Sequence, residues 1–193
     1  QKGVTDCFTV VGGGAMHLND AFGHHPDLHS TYHHHEQGAA MAAESYARQK
    51  EKPALLCVTT GPGGTNALTG VVGAWLDSIP MIVISGQVRY DTTSRYTSRF
   101  TDGLELRAVG DQEYDIVKSA APMTKYAVMI EDPQTIRYHL ERAWHLATTG
   151  RPGPVWLDIP VNYQGGYIET DELEGYDPSA DDAQLPPPVE QAT

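Results

Sequence analysis

Apolar runs of five to eight residues recur along the chain, each followed by a stretch with helical character. Cys7 to Val11, Ala54 to Thr60, Pro80 to Ser85, Met123 to Ile130 and Pro154 to Ile159 are apolar and rich in β-branched residues, as buried strands are; His29 to Tyr32 is a shorter candidate. Between them lie a short helix through Leu18, Asn19, Ala21 and Phe22, a small-residue helix that includes Ala39 to Ala47, and helices over Thr65 to Asp77 and Gln112 to Ala121. A further helix presents Ile136, Leu140, Ala143 and Ala147 on one face and ends at Gly150. Uniformly apolar strands alternating with helices predict an α/β domain with a buried parallel sheet. Arg89 to Leu106 is polar and aperiodic and reads as a long loop, and the period is lost again after Pro160.

The connections carry the chemistry. Gly12-Gly13-Gly14-Ala15 follows the first strand, but its glycines are consecutive, so the spaced G-x-G-x-x-G of a dinucleotide site is not met. A tight turn that lets backbone approach something flat is the plainer reading. Gly61-Pro62-Gly63-Gly64 turns the third strand into its helix. Asp132 reads as an N-cap with Pro133 in the first helical position. Tyr32-His33-His34-His35-Glu36-Gln37-Gly38 runs straight into the small-residue helix, so Glu36 falls in a first turn among unpaired N–H groups. That position suits a capping carboxylate as well as a catalytic one. The His triplet has no Cys or paired carboxylate at ligand spacing, so no metal site is assigned to this chain.

Charge and composition narrow the function. Lys and Arg number 13 against 25 Asp and Glu, a net charge of 13 − 25 = −12, which argues against nucleic-acid or anionic-membrane partners. Part of the excess lies in a run from Glu169 to Asp182, expected to be a solvated linker. Cys7 and Cys57 sit in strand-like runs and read as buried free thiols of a reducing compartment. No apolar stretch reaches transmembrane length and no signal peptide is visible, so a cytoplasmic location is expected. Gln1 to Asp6 looks like the end of a helix with a Gly3 C-cap, the rest of that helix being missing. Leu185-Pro186-Pro187-Pro188 looks like an extended linker.

Taken in order, His35-Glu36-Gln37-Gly38-Ala39-Ala40, Thr59-Thr60-Gly61-Pro62-Gly63-Gly64-Thr65-Asn66, Asp77-Ser78-Ile79-Pro80 leading to Ser85-Gly86-Gln87-Val88, Gln112-Glu113, Pro122-Met123-Thr124-Lys125 and Gly150-Arg151-Pro152-Gly153-Pro154-Val155 join Gly12 to Ala15 in a larger pattern. Together these stretches resemble the N-terminal pyrimidine-binding domain of thiamine diphosphate enzymes of the acetolactate-synthase-like branch. The resemblance covers residues 1–165 and implies a three-layer α/β/α fold with a six-stranded parallel sheet of order 2-1-3-4-6-5. Residues 166–193 would be an acidic, Pro-rich linker to an absent middle domain. The implied function is that of a 2-oxo acid decarboxylase or carboligase, a lyase or transferase, with relatives that act on sugar precursors among the closest in kind.

The resemblance also implies roles. Glu36 would share a proton with the aminopyrimidine ring and so promote the cofactor's active tautomer, which a Gln could not do. Gly13, Thr60, Pro62 and Asn66 would line that ring, and Gln112 would face the reaction centre. Mg²⁺ and the diphosphate would be held by a domain absent from this chain, which has no Gly-Asp-Gly…Asn signature. FAD is left open and nothing in the residues supports it. Asp111 stands where the family carries an aromatic, which puts a small anionic acceptor such as pyruvate in doubt. The His pair of decarboxylase relatives is missing, since no His lies between His35 and His139. A homodimer or homotetramer through this domain is implied, because family members hold the two ends of each cofactor on different subunits. The alternative is a catalytically silent α/β domain for nucleotide binding, assembly or regulation.

Overall fold

A computed structural model describes residues 2–104 and 106–182. Six strands, β1 (Asp6–Thr9), β2 (His29–Tyr32), β3 (Ala54–Val58), β4 (Met81–Gln87), β5 (Tyr126–Met129) and β6 (Pro154–Pro160), form one sheet ordered β2-β1-β3-β4-β6-β5. Every pairing is parallel. The expected topology is therefore what the chain adopts.

The interior strands are buried on both faces, and their alternating side chains feed two cores. Leu56, Val58, Met81, Val83 and Trp156 point to one side, where they meet α2 (Glu36–Lys50), α3 (Pro62–Asp77) and α5 (Ile116–Ala120). Leu55, Cys57, Ile82, Ile84, Val155 and Leu157 point to the other, under α1 (Met16–His24) and α6 (Ile136–Thr148). Cys7 and Cys57 are buried and free, as expected, and burial pushes both thiols well up from their ordinary range.

Several boundaries differ from the sequence expectation. The helix after β3 starts at Pro62, not Thr65, because Gly61 takes φ 57° and ψ −113°, a conformation suited to glycine, and puts Pro62 in the first turn. Arg89 to Leu106 is not a plain loop: a 3-10 turn at Tyr90–Thr92, the one-turn helix α4 (Ser94–Thr97) and a second 3-10 turn at Ser98–Phe100 occupy it. The Thr93 hydroxyl accepts from Tyr96 N at 3.1 Å and caps α4. Conversely, the helix expected over Gln112 to Ala121 shrinks to Ile116–Ala120. Glu113 is the cause: its carboxylate accepts from Ser94 N at 2.8 Å and Val109 N at 2.8 Å, tying the segment down before helix can form.

Asp132 caps as expected, accepting from Gln134 N at 2.9 Å, but what it caps is a 3-10 turn, Pro133–Thr135, that leads into α6, and Leu140 on α6 is exposed. After Pro160 the chain forms α7 (Val161–Gln164) and α8 (Ser179–Asp182). The acidic run is not simply solvated. Leu173 is buried, Arg137 donates to its carbonyl at 3.2 Å, and Arg142 pairs with Asp181 at 2.7 Å. Leu185 to Pro188 lie outside the described residues.

One helix crossing sets the geometry of the site. A Cβ on Gly70 of α3 would stand 2.5 Å from Ala40 Cβ and 2.9 Å from the Met41 nitrogen on α2, so only glycine admits this approach. Gly70→Ala should therefore destabilise the chain by about 1–3 kcal/mol, outweighing a helix-propensity gain of about 1 kcal/mol. Gly70→Ala should lower the urea midpoint, and an unchanged or raised midpoint would contradict the crossing.

Candidate functional site

In this strand order the chain leaves β1 toward one edge of the sheet and β3 toward the other. The turns that follow β1 and β3 at their carboxyl ends therefore splay apart and leave a crevice, where open α/β sheets bind ligands. Residues 12–15 and 59–62 are those turns, and Glu36 faces them from α2.

Glu36 is the first residue of α2. His35 is its N-cap, with extended backbone and Nδ1 accepting from Gln37 N at 3.1 Å. With the imidazole serving as cap, the Glu36 side chain turns inward, and the residue is 9% exposed. Its Oε2 accepts from Asn66 Nδ2 at 3.0 Å. Ala40 lies four residues on from Glu36, and Gly70 four residues on from Asn66, so this hydrogen bond sits one turn along from the Ala40–Gly70 contact. The crossing that requires Gly70 thus also brings Asn66 to Glu36. The second oxygen, Oε1, has no hydrogen bond among the described residues and lies 3.4 Å from where a Cβ on Gly63 would be.

Missing side chains keep the crevice narrow and its walls close. A Cβ on Gly12 or Gly63 would stand 2.5 or 2.7 Å from Thr59, and one on Gly14 would fall 1.8 Å from Thr60 Oγ1. Gly13 between them faces open space. Thr60 is buried and donates to the Gly86 carbonyl at 3.1 Å, joining the β3 turn to β4. Pro62 and Asn66 are exposed. Gln112 has φ 59°, and its carbonyl oxygen lies 2.1 Å from the position of a Cβ on Gly61, so its turn rests on the start of α3. Asp111 and Gln112 are exposed. The structure thus brings Glu36 and Asn66 into contact and Gln112 to the lip of the same turn. His33 is half-buried beside Phe8, with ring centroids 6.0 Å apart, and His34 is exposed. Among the described residues no group of three or more His, Cys, Asp or Glu could hold a metal ion, and no helix is long and apolar enough to cross a membrane.

Sequence reasoning missed a buried polar chain behind the crevice. Asp158 on β6 is fully buried; its Oδ1 accepts from Ser85 Oγ at 2.6 Å and its Oδ2 from Gln87 Nε2 at 2.9 Å. Trp156 Nε1 donates to Ser85 Oγ at 2.8 Å. Burial pushes the Asp158 carboxyl up to about 7, against the opposing effect of the Ser85 and Gln87 hydrogen bonds. The available signal was an acid inside an otherwise apolar strand.

A parallel α/β sheet with a glycine-walled crevice at its switch point, and a buried carboxylate facing it, defines a cofactor-binding domain. Residues 1–108 match the family described as thiamine pyrophosphate enzyme, N-terminal TPP binding domain, and the chain belongs to that family. It is 36% identical over 167 residues to a chloroplastic acetolactate synthase of Arabidopsis thaliana, covering 85% of this chain and 22% of that protein. It is 39% identical over 160 residues to the acetolactate synthase large subunit of Lactococcus lactis, covering 83% and 26%. The corresponding subunit of Haemophilus influenzae is 35% identical over 186 residues, covering 93% and 30%. The chain thus spans between a fifth and a third of the length of these relatives.

Asp158 gives a pH signature. Below its ordinary value near 3.8 the carboxyl is protonated in both folded and unfolded chains, so its contribution to stability is fully present. As pH rises toward 7 the unfolded chain ionises first, and that stability is lost. Asp158→Asn cannot ionise, so its melting temperature relative to the parent should climb between pH 4 and pH 7 and then level off. Melts across that range check this, and a constant difference would contradict it.

Proposed function

We propose that this chain is the pyrimidine-binding domain of a thiamine diphosphate-dependent 2-oxo acid decarboxylase or carboligase, similar to acetolactate synthases, and that Glu36 is its proton-sharing residue. The observation that carries the reading is the Glu36 carboxylate: buried, fixed at Oε2 by Asn66, and with Oε1 beside Gly63. The residues present fit a flat ring. Gly12, Gly14 and Gly63 leave out the side chains that would crowd the crevice, and a free carboxylate oxygen stands at its edge.

In this reading Asn66 holds Glu36 in one rotamer. Glu36 Oε1 would then be the atom that shares a proton with a ring nitrogen of the aminopyrimidine. Gly13 and Pro62 bound the ring, and Thr60 holds the turn after β3 against β4 through the Gly86 carbonyl. When bound, the cofactor supplies an electron sink for the pair left behind as CO₂ departs. Gln112 faces the substrate from the rim, and Asp111 beside it disfavours a small anionic acceptor. Mg²⁺ and the diphosphate would be held by another domain, and the enzyme would work in the cytoplasm.

Self-association completes the reading. Ala39, Ala43, Ala47 and Ala74 are buried within the chain, whereas a Cβ at Gly38 or Gly73 would meet nothing. The small residues of α2 and α3 thus lie on two sides, and the outer side suits a second copy. Pro62, Asn66 and Gln112 are all exposed at the mouth of the crevice, where a partner would close it.

In the intact enzyme, Glu36→Gln should slow exchange of the cofactor's thiazolium C2 proton by about 10²–10⁴-fold while cofactor affinity falls modestly. Unchanged exchange, followed by NMR, would remove Glu36 from the mechanism. Light scattering should find at least a dimer, with an interface on the order of 1,600 Å²; a fully active monomer at micromolar concentration would sink the shared site.

A further inference from the structure

We infer that Gln87 and Asp158 are positioning residues for Gln112, acting through a buried hydrogen-bond chain that crosses β4 and β6 and grips the turn of residues 110–115. The inference rests on the reading of Gln112 given above, as the residue facing the substrate.

The chain of bonds has a direction. It begins in the core, where Trp156 donates to Ser85 and Ser85 to Asp158. Asp158 then accepts from Gln87 Nε2 at 2.9 Å, and the same nitrogen donates its other hydrogen to the Tyr114 carbonyl at 2.8 Å. Gln87 Oε1 accepts from Val88 N at 2.9 Å, so all three polar positions of this side chain are engaged and its rotamer is fixed. Gln87 is 1% exposed and ends β4 at the carboxyl edge of the sheet. A role confined to satisfying the core would not need the bond to Tyr114, a main-chain carbonyl on a separate surface segment that already accepts from Ile116 N at 2.9 Å.

The gripped segment is one that needs holding. Gln112 adopts φ 59°, a left-handed conformation uncommon for a residue with a side chain. Such a conformation persists where its surroundings over-determine it. Three contacts do so. Gln87 holds Tyr114 from the sheet. Glu113, 7% exposed, holds Ser94 and Val109 through both carboxylate oxygens. Gly61, whose missing Cβ makes room for the Gln112 carbonyl, abuts it from the site. Glu113 ties the turn to the neighbouring loop and Gly61 receives it at the start of α3, while Gln87 supplies the hydrogen bond, among the described residues, that links it to a strand of the sheet carrying the β1 and β3 turns. Its amide therefore sets the height of Gln112 over the crevice, and Asp158 sets the amide.

The test is Gln87→Met in the intact enzyme, a substitution of similar size that removes both donors. Amide hydrogen exchange at Val109 and Glu113, whose N–H groups are bonded within the turn, should quicken about tenfold while α2 amides keep their parent rates. With pyruvate as the 2-oxo acid probe, kcat/KM should fall by a similar factor, with cofactor affinity and C2-proton exchange unchanged. In a double-mutant cycle, Gln87→Met combined with Gln112→Ala should be no slower than Gln112→Ala alone. Parent exchange rates at Val109 and Glu113 would overturn the inference, as would additive losses in the cycle or a matching loss of cofactor affinity. If Gln112→Ala turns over pyruvate like the parent, the earlier reading of Gln112 fails; in that case, as where the parent does not turn over pyruvate, exchange at Val109 and Glu113 decides whether Gln87 holds the turn.

Discussion

The contact between Ala40 and Gly70 is the constraint on which the rest depends. It lets α2 and α3 approach more closely than any side chain at position 70 would allow. Because Glu36 and Asn66 each lie one helical turn before that contact, the approach fixes their distance as well. The two helices act as a pair of rulers with a common zero. A single residue inserted between Glu36 and Ala40, or between Asn66 and Gly70, would rotate one member of the site by roughly 100° and leave the other in place. The exposed turn at Asp102 and Gly103 has no such register to keep.

Much of this was legible in the chain itself. The parallel sheet followed from uniformly apolar runs, because strands covered on both faces have no polar face to alternate with. Gly61-Pro62 announced a turn, and Asp132-Pro133 a helix start, through the local chemistry of single residues. Glu36 was legible as a first-turn carboxylate. What the sequence could not show was the direction it points, which depends on His35 taking the capping role and on Asn66 arriving thirty residues later.

The misreadings share one cause. Gln112 to Ala121 has fair helical character, yet its first half is bent into a turn by Glu113, whose partners lie on other segments. Arg89 to Leu106 has no period, yet Tyr90 and Tyr96 pack edge-on at 5.3 Å, and Glu131 gathers Arg95 and Arg99 from outside it. Asp158 was passed over within an apolar strand and acquires its partners only when β4 lies alongside. In each case a tertiary bond between residues far apart in sequence overrode the local pattern.

The attachment of residues 173–182 to α6 has a mechanical consequence. Tyr176 N donates to Glu141 at 2.8 Å, and Arg142 holds Asp181 while lying 4.7 Å over the Tyr126 ring. These anchors sit on the face of the sheet opposite α2 and α3. A pull at Asp182 is therefore taken up by α6 and β5, on the side of the sheet away from the bond between Glu36 and Asn66.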